Sequence, residues 1–372
     1  MRLQFFIPSL TGGGAERVLS LISDELVNRG HDVCIVISDN DVAYKLNSRI
    51  ELFCIKDVRL PVRGRFLEKQ LCRARNFIRY KKQVGVLIKA FRPDVIITFM
   101  ESQIFPILLF HKDIPVVSSE HNTMNRRFGY AIHFQRFVFN RFCDRITVLT
   151  VYDQQYAIRK GLKQTVVINN PLTYKPINKA EYEQLFQNRN NIFACGRINS
   201  WVIKGFDLLI KSFAEIAKDR PDVDLDIAGG GNEEDFIRLQ DIAKECGVGN
   251  RVHFLGFRND IDELMKTHSV FVLSSRTEGF GMVLIEAMSQ GLPCVSFALP
   301  GPNEIIKDGV DGVLVPEQDC LLLSKQVLEL VSNSELRYKM GLNAIENVDD
   351  YSIAKITDKW ECLFNELIRK EE

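Results

Sequence analysis

Short apolar runs alternate with longer amphipathic stretches along almost the whole chain, and this alternation constrains the fold more than any other feature. The runs are too short for buried helices, and the stretches between them have helical periodicity. Strands that alternate with helices predict parallel sheets covered by helices on both faces. The predicted strands are residues 3–7, 33–37, 95–98, 116–119, 146–149 and 166–168, and then 192–195, 223–228, 252–255, 270–273, 293–297 and 313–315.

The predicted strands fall into two sets that a polar stretch separates. That stretch, residues 173–190, contains Pro176 with several acids and amides, and it is typical of a linker. A chain of 372 residues is also longer than one ordinary domain. We therefore predict a first domain at 1–172, a linker at 173–190, a second domain at 191–350 and a final helical segment at 351–372.

Composition excludes several classes of protein. Lysine plus arginine and aspartate plus glutamate number 48 each, so no overall positive field attracts nucleic acid. The nine cysteines form no Cys-x-x-Cys pair and no cluster with histidine, which favours a reduced cytoplasmic chain without a zinc site. The N-terminal apolar run is broken by Pro8 and is typical of a strand, not of a signal peptide. No apolar run is long enough to span a bilayer, so any membrane contact is expected to be peripheral.

The stretch 274–288 carries the strongest chemical signal. It joins the predicted strand 270–273 to a helix that opens near Met282, through a turn rich in glycine. Free backbone N–H groups and the helix dipole make such a turn an anion site. Glu278 and Glu286 flank it, and because a carboxylate repels phosphate, we expect both to bind hydroxyls. Phosphate beside hydroxyl groups describes a nucleotide sugar; an ordinary helix with an acidic first turn is the alternative.

Two cations follow the first strand of the second domain. Arg197 and Lys204 could neutralise a diphosphate as it departs, which is the main electrostatic demand of group transfer from a nucleotide. They could also be surface cations at the start of a helix. Since cations are unfavourable at a helix N-terminus, however, a compensating anion is a reasonable inference.

The first domain offers weaker signals. Its turn at residues 11–14 is rich in glycine, but it does not spell Gly-x-Gly-x-x-Gly because Arg17 occupies the third place. Asp39, at the end of the second strand, could hold a ribose, so an NAD-type oxidoreductase remains an alternative. His121 follows the predicted strand 116–119 and is either a site residue or an ordinary loop histidine.

The stretch 274–288 resembles the two-glutamate motif, Glu-(seven residues)-Glu, of the retaining family 4 glycosyltransferases. The resemblance extends over nearly the whole chain: the glycine-rich start, Arg197 with Lys204, the motif itself, and the segments Gly-Pro-Asn-Glu-Ile-Ile and Asp-Gly-Val-Leu-Val after it. It implies the GT-B fold, in which two Rossmann-like domains face each other across a cleft and a C-terminal helix, here 351–372, returns to the N-terminal domain. It also implies transfer from a nucleotide sugar with retention of configuration and without a metal or cofactor.

The resemblance assigns roles residue by residue. In this reading Arg197 and Lys204 bind the departing diphosphate, Glu278 the donor sugar, Glu286 the ribose, and His121 approaches the reacting carbon. The remaining donor-binding positions are Gly13 and Gly14 of the first glycine turn and the backbone of Phe280, Gly281, Met282 and Val283.

Positive charge is concentrated in two stretches of the first domain, where aromatic and aliphatic residues interleave with it. Basic amphipathic helices suit an anionic membrane surface, although a solvated helix face is the alternative. No nucleic-acid recognition module is visible. The residues are Arg59, Arg63, Arg65, Lys69, Arg73, Arg75, Arg79, Lys81, Lys82, Lys89 and Arg92 with Phe66, Leu67, Leu71, Phe77 and Ile78, and then Arg126, Arg127, Phe128, Arg136, Phe137, Phe139, Arg141 and Phe142.

Together these features predict a cytoplasmic enzyme, peripheral on the inner face of the cell membrane. It would transfer a hexose or N-acetylhexosamine to a lipid-linked saccharide in the synthesis of a bacterial cell-surface polysaccharide. A UDP-sugar is favoured as donor over GDP-mannose. The alternatives are a soluble acceptor, an NAD-type oxidoreductase and a non-catalytic protein that binds nucleotide sugars.

Overall fold

A computed structural model describes residues 1–39, 41–55, 66–99, 107–108, 113–125 and 136–369, with the backbone alone at 66–71, 73 and 74. The chain divides into two compact units. The first is Met1–Pro171 together with Ile353–Glu372, and the second is Leu172–Ser352. Each contains one parallel sheet of its own.

The sheet of the first unit has seven parallel strands in the order β3-β2-β1-β4-β5-β6-β7. The strands of the central region are fully buried because their apolar side chains meet helices on both faces. The elements of this unit up to residue 167 are β1 Arg2–Phe6, α1 Gly14–Asn28, β2 Asp32–Ile37, β3 Glu51–Cys54, α2 Phe66–Phe91, β4 Val95–Phe99, β5 Val116–Ser119, β6 Arg145–Val148, α3 Val151–Arg159 and β7 Thr165–Val167, with a 3-10 turn at Asn140–Phe142.

Strand β3 was not predicted from the sequence. Its residues Glu51, Leu52 and Phe53 are exposed, because β3 is the edge strand and pairs on one side only, with β2. An exposed edge strand lacks the continuous apolar run of a buried strand. It also lacks the alternation of buried apolar and exposed polar residues that marks a half-buried strand. The pattern that reveals the other strands is therefore missing here.

The sheet of the second unit has six parallel strands in the order β10-β9-β8-β11-β12-β13. One core cluster of aliphatic and aromatic side chains packs its helices on it. The elements are α4 Lys179–Phe186, β8 Asn190–Cys195, α5 Trp201–Lys204, α6 Phe206–Asp219, β9 Leu225–Ala228, α7 Glu233–Glu245, β10 Val252–Gly256, α8 Ile261–Thr267, β11 His268–Leu273, α9 Met282–Ser289, β12 Cys294–Phe297, α10 Pro300–Ile305, β13 Gly312–Val315, α11 Cys320–Ser332 and α12 Ser334–Asn347, with 3-10 turns at Ile198–Ser200 and Val348–Tyr351.

The stretch expected as a linker, 173–190, contains helix α4. Asn178 caps this helix by accepting a hydrogen bond from the backbone N–H of Glu181 at 3.0 Å. Tyr182 and Phe186 are buried in a small aromatic cluster with Tyr338. Composition alone suggested a linker because α4 is short and its apolar face has only these few residues.

The C-terminal helix α13, Ile353–Arg369, belongs to the first unit, as the sequence predicted. Trp360 and Phe364 are buried on its apolar face, and its polar side is tied to α1. There the guanidinium of Arg29 binds Asp358 at 2.5 Å and Glu361 at 2.6 Å. These ion pairs, with Glu25 of α1, raise the pKa of Arg29 above its ordinary value. The helix is therefore fixed to the first unit by apolar burial and by charge.

Candidate functional site

The strand order of the second sheet reverses between β8 and β11, and the candidate donor-site residues follow these two strands. Arg197 and Lys204 come after β8, and Glu278 comes after β11. The two strands pair directly, with Val270 of β11 opposite Ile192 of β8. In doubly wound sheets the crevice at the carboxyl ends of such a strand pair is the usual ligand site.

Gly205 allows the loops after the two strands to meet. Its φ of +66° is in the left-handed region, and an added Cβ would lie 1.8 Å from the carbonyl oxygen of Ser274. The hydroxyl of Ser274 in turn donates to the carbonyl oxygen of Lys204 at 3.1 Å. Only glycine permits this approach, which places Lys204 beside the turn that follows β11.

Lys204 and Glu278 form an ion pair. The Nζ–Oε2 distance is 2.8 Å, and the side chains are 24% and 14% exposed. The hydroxyl of Ser275 also donates to Oε2 of Glu278, at 3.2 Å. An ammonium group has three N–H donors, so Lys204 can keep this pair and still donate to phosphate oxygens.

Arg197 occupies a different environment. It lies at the start of the 3-10 turn Ile198–Ser200, and its side chain is exposed. A guanidinium with this exposure can bind two oxygens of a ligand at once. The site thus combines one cation already paired with a carboxylate and one directed to solvent.

Arg276 ties the turn after β11 to two helices. Arg276 makes a two-pronged ion pair with Asp207 of α6, both N–O distances being 2.7 Å, and it also donates to the carbonyl oxygen of Val202 at 2.6 Å. Burial raises the pKa of Asp207, but the hydrogen bond and charge of Arg276 outweigh it, so the pKa lies below its ordinary value. Bidentate pairs are geometrically specific. This one fixes the turn relative to α5 and α6.

Helix α9 begins at Met282, and its N-terminus is the predicted phosphate site. The preceding Gly281 has φ +95°, and no side chain caps the helix. Phe280 is buried, and its ring packs edge-on against Tyr351 at 5.6 Å between centroids. Met282 and Val283 are half-buried. An uncapped N-terminus has unused backbone donors, which is the property that a phosphate needs.

At the other end of α9, Arg189 takes the terminal carbonyls. Its guanidinium donates to the carbonyl oxygens of Gln290 and Gly291 at 2.5 and 2.8 Å and lies over the ring of Tyr182. Because the side chain is buried, the pKa of Arg189 falls to about 10. A cation at a helix C-terminus is favourable, so Arg189 anchors the helix whose N-terminus faces the candidate site.

Glu286 lies within α9 and is buried. Its Oε1 accepts a short hydrogen bond from the hydroxyl of Thr173. The Cys195 thiol at the end of β8 also lies near it: burial raises the pKa of that thiol, and the charge of Glu286 raises it further. The two glutamates of the motif therefore differ, since Glu278 is paired with a cation and Glu286 with a hydroxyl.

His121 lies in the first unit, after β5. Its ring stacks on Phe99 at 4.6 Å between centroids, and Nε2 lies 3.0 Å from the hydroxyl oxygen of Ser119, which accepts a hydrogen bond from Thr147. Burial lowers the pKa of His121 to about 4, although a hydrogen bond with Asn170 opposes the shift. The imidazole is therefore neutral at pH 7.

The glycine turn of the first unit already contains a carboxylate. Oε2 of Glu16 accepts the backbone N–H groups of Gly12 and Gly13 at 2.6 and 2.7 Å, and Oε1 accepts the hydroxyl of Ser9. This arrangement caps α1, which begins at Gly14. In this conformation the N–H of Gly13, expected to serve the donor, is occupied by Glu16.

The predicted basic and aromatic surface is only partly a surface. Arg136 is buried and pairs with Glu120 at 3.1 Å, while Phe137 and Phe139 pack against the core of the first unit. Expecting Arg136 on an exposed face was wrong, because the buried carboxylate of Glu120 supplies its counter-charge. Arg141 and Phe142 are exposed. Outside the described residues or side chains lie Arg59, Arg63, Arg65, Phe66, Leu67, Lys69, Leu71, Arg73, Arg126, Arg127 and Phe128.

Helix α2 presents a basic face with exposed aliphatic groups. Arg75, Arg79, Lys82 and Lys89 are exposed along it, and so are Ile78 and Val86, at 61% and 59%. Lys81 is half-buried. Across the described ranges, no helix is long and apolar enough to cross a bilayer. The same part of the chain contains no group of three or more His, Cys, Asp or Glu side chains arranged for a metal ion. All nine cysteines are free.

Sequence reasoning missed the residues that hold the site from outside the motif. Four residues contact a predicted site residue or the helix or turn that carries it: Asp207, Arg189, Glu16 and Thr173. Glu16 alone had a usable signal, since it lies three residues after Gly13, at the spacing of a capping box. Asp207 lies 69 residues from Arg276, Arg189 lies 101 from Gln290 and Thr173 lies 113 from Glu286, so spacing gives no signal for these contacts.

The family model Glycosyltransferase Family 4 matches residues 12–173, and Glycosyl transferases group 1 matches residues 178–347. An alpha-1,4-N-acetyl-D-galactosaminyltransferase of Campylobacter jejuni is 27% identical over 99% of this chain and 99% of its own. The amylovoran biosynthesis glycosyltransferase AmsD of Erwinia amylovora is 27% identical over 95% of this chain and 96% of its own.

Among solved structures, HepE of Anabaena in complex with UDP and glucose superimposes with a TM-score of 0.78. It is 22% identical and covers 98% of this chain and 99% of its own. The likeness concerns the fold. Together with the two parallel sheets, it confirms the predicted fold class.

Proposed function

The chain belongs to the family 4 glycosyltransferases, and from this premise we propose that it transfers a hexose or N-acetylhexosamine from a nucleotide sugar to a saccharide hydroxyl, with retention of anomeric configuration. One observation carries the proposal. Arg197, Lys204 and Glu278 follow β8 and β11, the strand pair at which the second sheet reverses its order, and the uncapped N-terminus of α9 follows the same turn. Cations and backbone donors suit the diphosphate, and the carboxylates suit hydroxyls.

The reaction breaks the bond between the anomeric carbon and the diphosphate oxygen and forms a bond from that carbon to the acceptor oxygen. Negative charge develops on the departing diphosphate, where Arg197, Lys204 and the backbone from Phe280 to Val283 stabilise it. In the same-face mechanism implied by the resemblance, the departing phosphate oxygen takes the acceptor proton. The two cations supply the positive charge, so we propose that the enzyme needs no metal or cofactor.

The other assigned residues bind the rest of the donor. Glu278 takes the sugar hydroxyls while Lys204 neutralises it, and Glu286 takes the ribose. A neutral His121 approaches the reacting carbon and can donate or accept a hydrogen bond without adding charge. Gly14 lies at the first turn of α1, and we propose its backbone N–H as a further donor to the diphosphate.

We propose a UDP-sugar as donor, ahead of GDP-mannose. HepE, which shares this fold, is described as a complex with UDP and glucose, and the C. jejuni relative is named as an N-acetylgalactosaminyltransferase. These precedents favour UDP-linked hexose or N-acetylhexosamine.

We propose a lipid-linked saccharide of a bacterial surface polymer as acceptor. The name of the C. jejuni relative specifies an acceptor on PP-undecaprenol, and that of AmsD specifies amylovoran biosynthesis. The exposed basic face of α2, with Ile78 and Val86 between its cations, supports peripheral contact with an anionic cytoplasmic leaflet.

The test is to incubate the protein with UDP-glucose, UDP-galactose, their N-acetylamino counterparts and GDP-mannose, and to measure slow donor hydrolysis. We expect turnover with one UDP-sugar and a product with the configuration of the donor, read by NMR before mutarotation. Inversion of configuration would refute retention, and full activity after chelation of all metals is expected. Binding of nucleotide sugars without any turnover would favour the non-catalytic alternative.

A further inference from the structure

Thr173 is bonded to the buried motif glutamate although it lies 113 residues before it in sequence. Its hydroxyl donates to Oε1 of Glu286, a side chain with 7% exposure. A glutamate side chain is flexible because it has three torsions. A hydrogen bond to a charged acceptor is about twice as strong as one between neutral groups. The bond therefore restricts how Glu286 is oriented within α9.

The backbone beside Thr173 is fixed in its own right. The N–H of the preceding Leu172 donates to the carbonyl oxygen of Tyr351 at 2.8 Å, and Leu172 is buried. Tyr351 in turn packs on Phe280, in the turn before α9. Threonine is also stiff about its first side-chain torsion. The donor that meets Glu286 is thus preorganised by backbone, packing and side-chain type.

The surroundings of Glu286 indicate a carboxylate held for a purpose other than packing. The charge of Glu286 adds to burial in raising the pKa of the Cys195 thiol, which is itself buried. A buried carboxylate is costly unless charged or polar groups compensate for the lost water. Within α9, whose neighbouring residues Leu284, Ile285, Ala287 and Met288 are buried, an apolar residue would pack at no such cost.

We propose that Thr173 is a positioning residue for the donor nucleotide: it orients Glu286 so that the carboxylate accepts a ribose hydroxyl. This rests on the proposed function, in which Glu286 binds the ribose. Thr173 acts through Glu286 and need not touch the nucleotide. Because Thr173 is the second residue of the second unit, ribose recognition is tied to the segment by which the chain enters that unit.

The physical effect is preorganisation. Without the Thr173 hydroxyl, Glu286 loses one of the groups that hold its rotamer, and the nucleotide must supply that part of the ordering at binding, at an affinity cost. That cost arises only for ligands that use the carboxylate. A ribonucleotide should therefore lose affinity, whereas an analogue that lacks the bonded ribose hydroxyl should not.

The experiment compares Thr173→Val, which keeps the shape and removes the hydroxyl, with Thr173→Ser, which keeps the hydroxyl. Calorimetry measures binding of UDP, 2′-deoxy-UDP and 3′-deoxy-UDP, with GDP and its deoxy analogues run in parallel. We expect Thr173→Val to weaken the ribonucleotide about tenfold, or about 1.4 kcal/mol, and to leave one deoxy analogue within about twofold. Thr173→Ser should retain most of the native affinity.

A matched control is Thr267→Val, which removes an exposed hydroxyl bonded to a backbone carbonyl at the end of α8. It should leave all affinities unchanged. Equal weakening of ribo- and deoxynucleotides by Thr173→Val would show a merely structural role and overturn the proposal, as would no weakening at all. If native protein binds ribo- and deoxynucleotides alike, the ribose role of Glu286 is wrong. If it binds no nucleoside diphosphate, the proposed donor class fails as well.

Discussion

At the scale of single residues, the pairing of Lys204 with Glu278 determines what each can do for a ligand. Unpaired, Glu278 would repel a diphosphate bound at the N-terminus of α9. Paired at 2.8 Å, it presents a neutral unit that can still bind sugar hydroxyls through its oxygens. The cation thus has two effects, one on the phosphate and one on the carboxylate beside it.

We expect Lys204→Ala to reduce turnover roughly 10²-fold or more, because preorganised charge is usually the largest catalytic contribution. It should also weaken binding of the bare nucleoside diphosphate, since Glu278 is then uncompensated. The double variant Lys204→Ala/Glu278→Gln should recover part of that binding but not the turnover. Calorimetry and donor hydrolysis measure the two effects. Lys218→Ala, which removes an exposed cation paired with Glu215, is the control and should behave as native.

Arg197→Ala tests the exposed cation separately. Turnover should again fall roughly 10²-fold, but no carboxylate is bonded to this side chain among the described residues, so a second-site change at Glu278 should not rescue nucleotide binding. Near-native hydrolysis by Arg197→Ala would remove it from the proposed site.

His121 gives a prediction about pH. Its pKa is about 4 in the folded protein and about 6.5 when unfolded, so the unfolded chain binds the extra proton first as pH falls. Stability conferred by the neutral ring is complete above about pH 6.5 and is lost as pH falls toward 4. By pH 5 the loss should reach about 2 kcal/mol. His121→Gln should lack this loss, measured as unfolding free energy at pH 7 and pH 5. His253→Gln, at an exposed histidine, should keep it.

At the scale of elements, the loops after β8 and β11 depend on one glycine. Gly205 and Gly247 both have left-handed φ, at +66° and +75°, but only Gly205 faces another backbone; nothing lies within 4 Å of a Cβ at Gly247. Alanine at Gly247 should cost only the left-handed strain, about 1–2 kcal/mol. Gly205→Ala should cost that strain and also displace Ser274, with loss of donor hydrolysis. Melting temperature and hydrolysis, measured on both variants, check this; equal behaviour would contradict it.

The elements themselves were predictable where burial enforces a pattern. Buried strands contain continuous apolar runs, such as residues 33–37 of β2 and 270–273 of β11, and the helix α13 has a complete apolar face. The edge strand β3 and the short helix α4 were missed because each packs mainly against a single neighbouring element. Few of their residues are buried as a result, and the hydrophobic pattern is weak. Of the predicted site residues, the structure pairs Lys204 with Glu278, while the roles assigned to the motif residues stay predictions. The contacts of Thr173 and Arg189 could not be predicted, since only the folded chain brings these residues to α9. Glu16 lies within α1, three residues after Gly13, so its capping contact was within reach of the sequence.

At the scale of the whole molecule, a neutral chain carries a locally basic helix. The 48 positive and 48 negative residues cancel overall, yet Arg75, Arg79, Lys82 and Lys89 share the exposed face of α2 with Ile78 and Val86. Exposed aliphatic groups interleaved with cations are the pattern of a helix that lies on a membrane surface. Such a face can dock on anionic lipid, at about 1 kcal/mol per charge near the surface.

We therefore expect the native protein to float with anionic liposomes at low salt and to be released as salt rises, because exposed charges are screened within about 8 Å at physiological ionic strength. Changing Arg75, Arg79, Lys82 and Lys89 together to Ser should abolish flotation and slow transfer to a lipid-linked acceptor, while donor hydrolysis stays native. The control changes four exposed lysines of the second unit to Ser: Lys211, Lys218, Lys244 and Lys325. It removes the same charge and should still float. If both quadruple variants lose flotation equally, net charge and not the α2 face is responsible. If the native protein ignores anionic liposomes, a soluble saccharide becomes the better acceptor, and the donor site in the second unit is unaffected by that outcome.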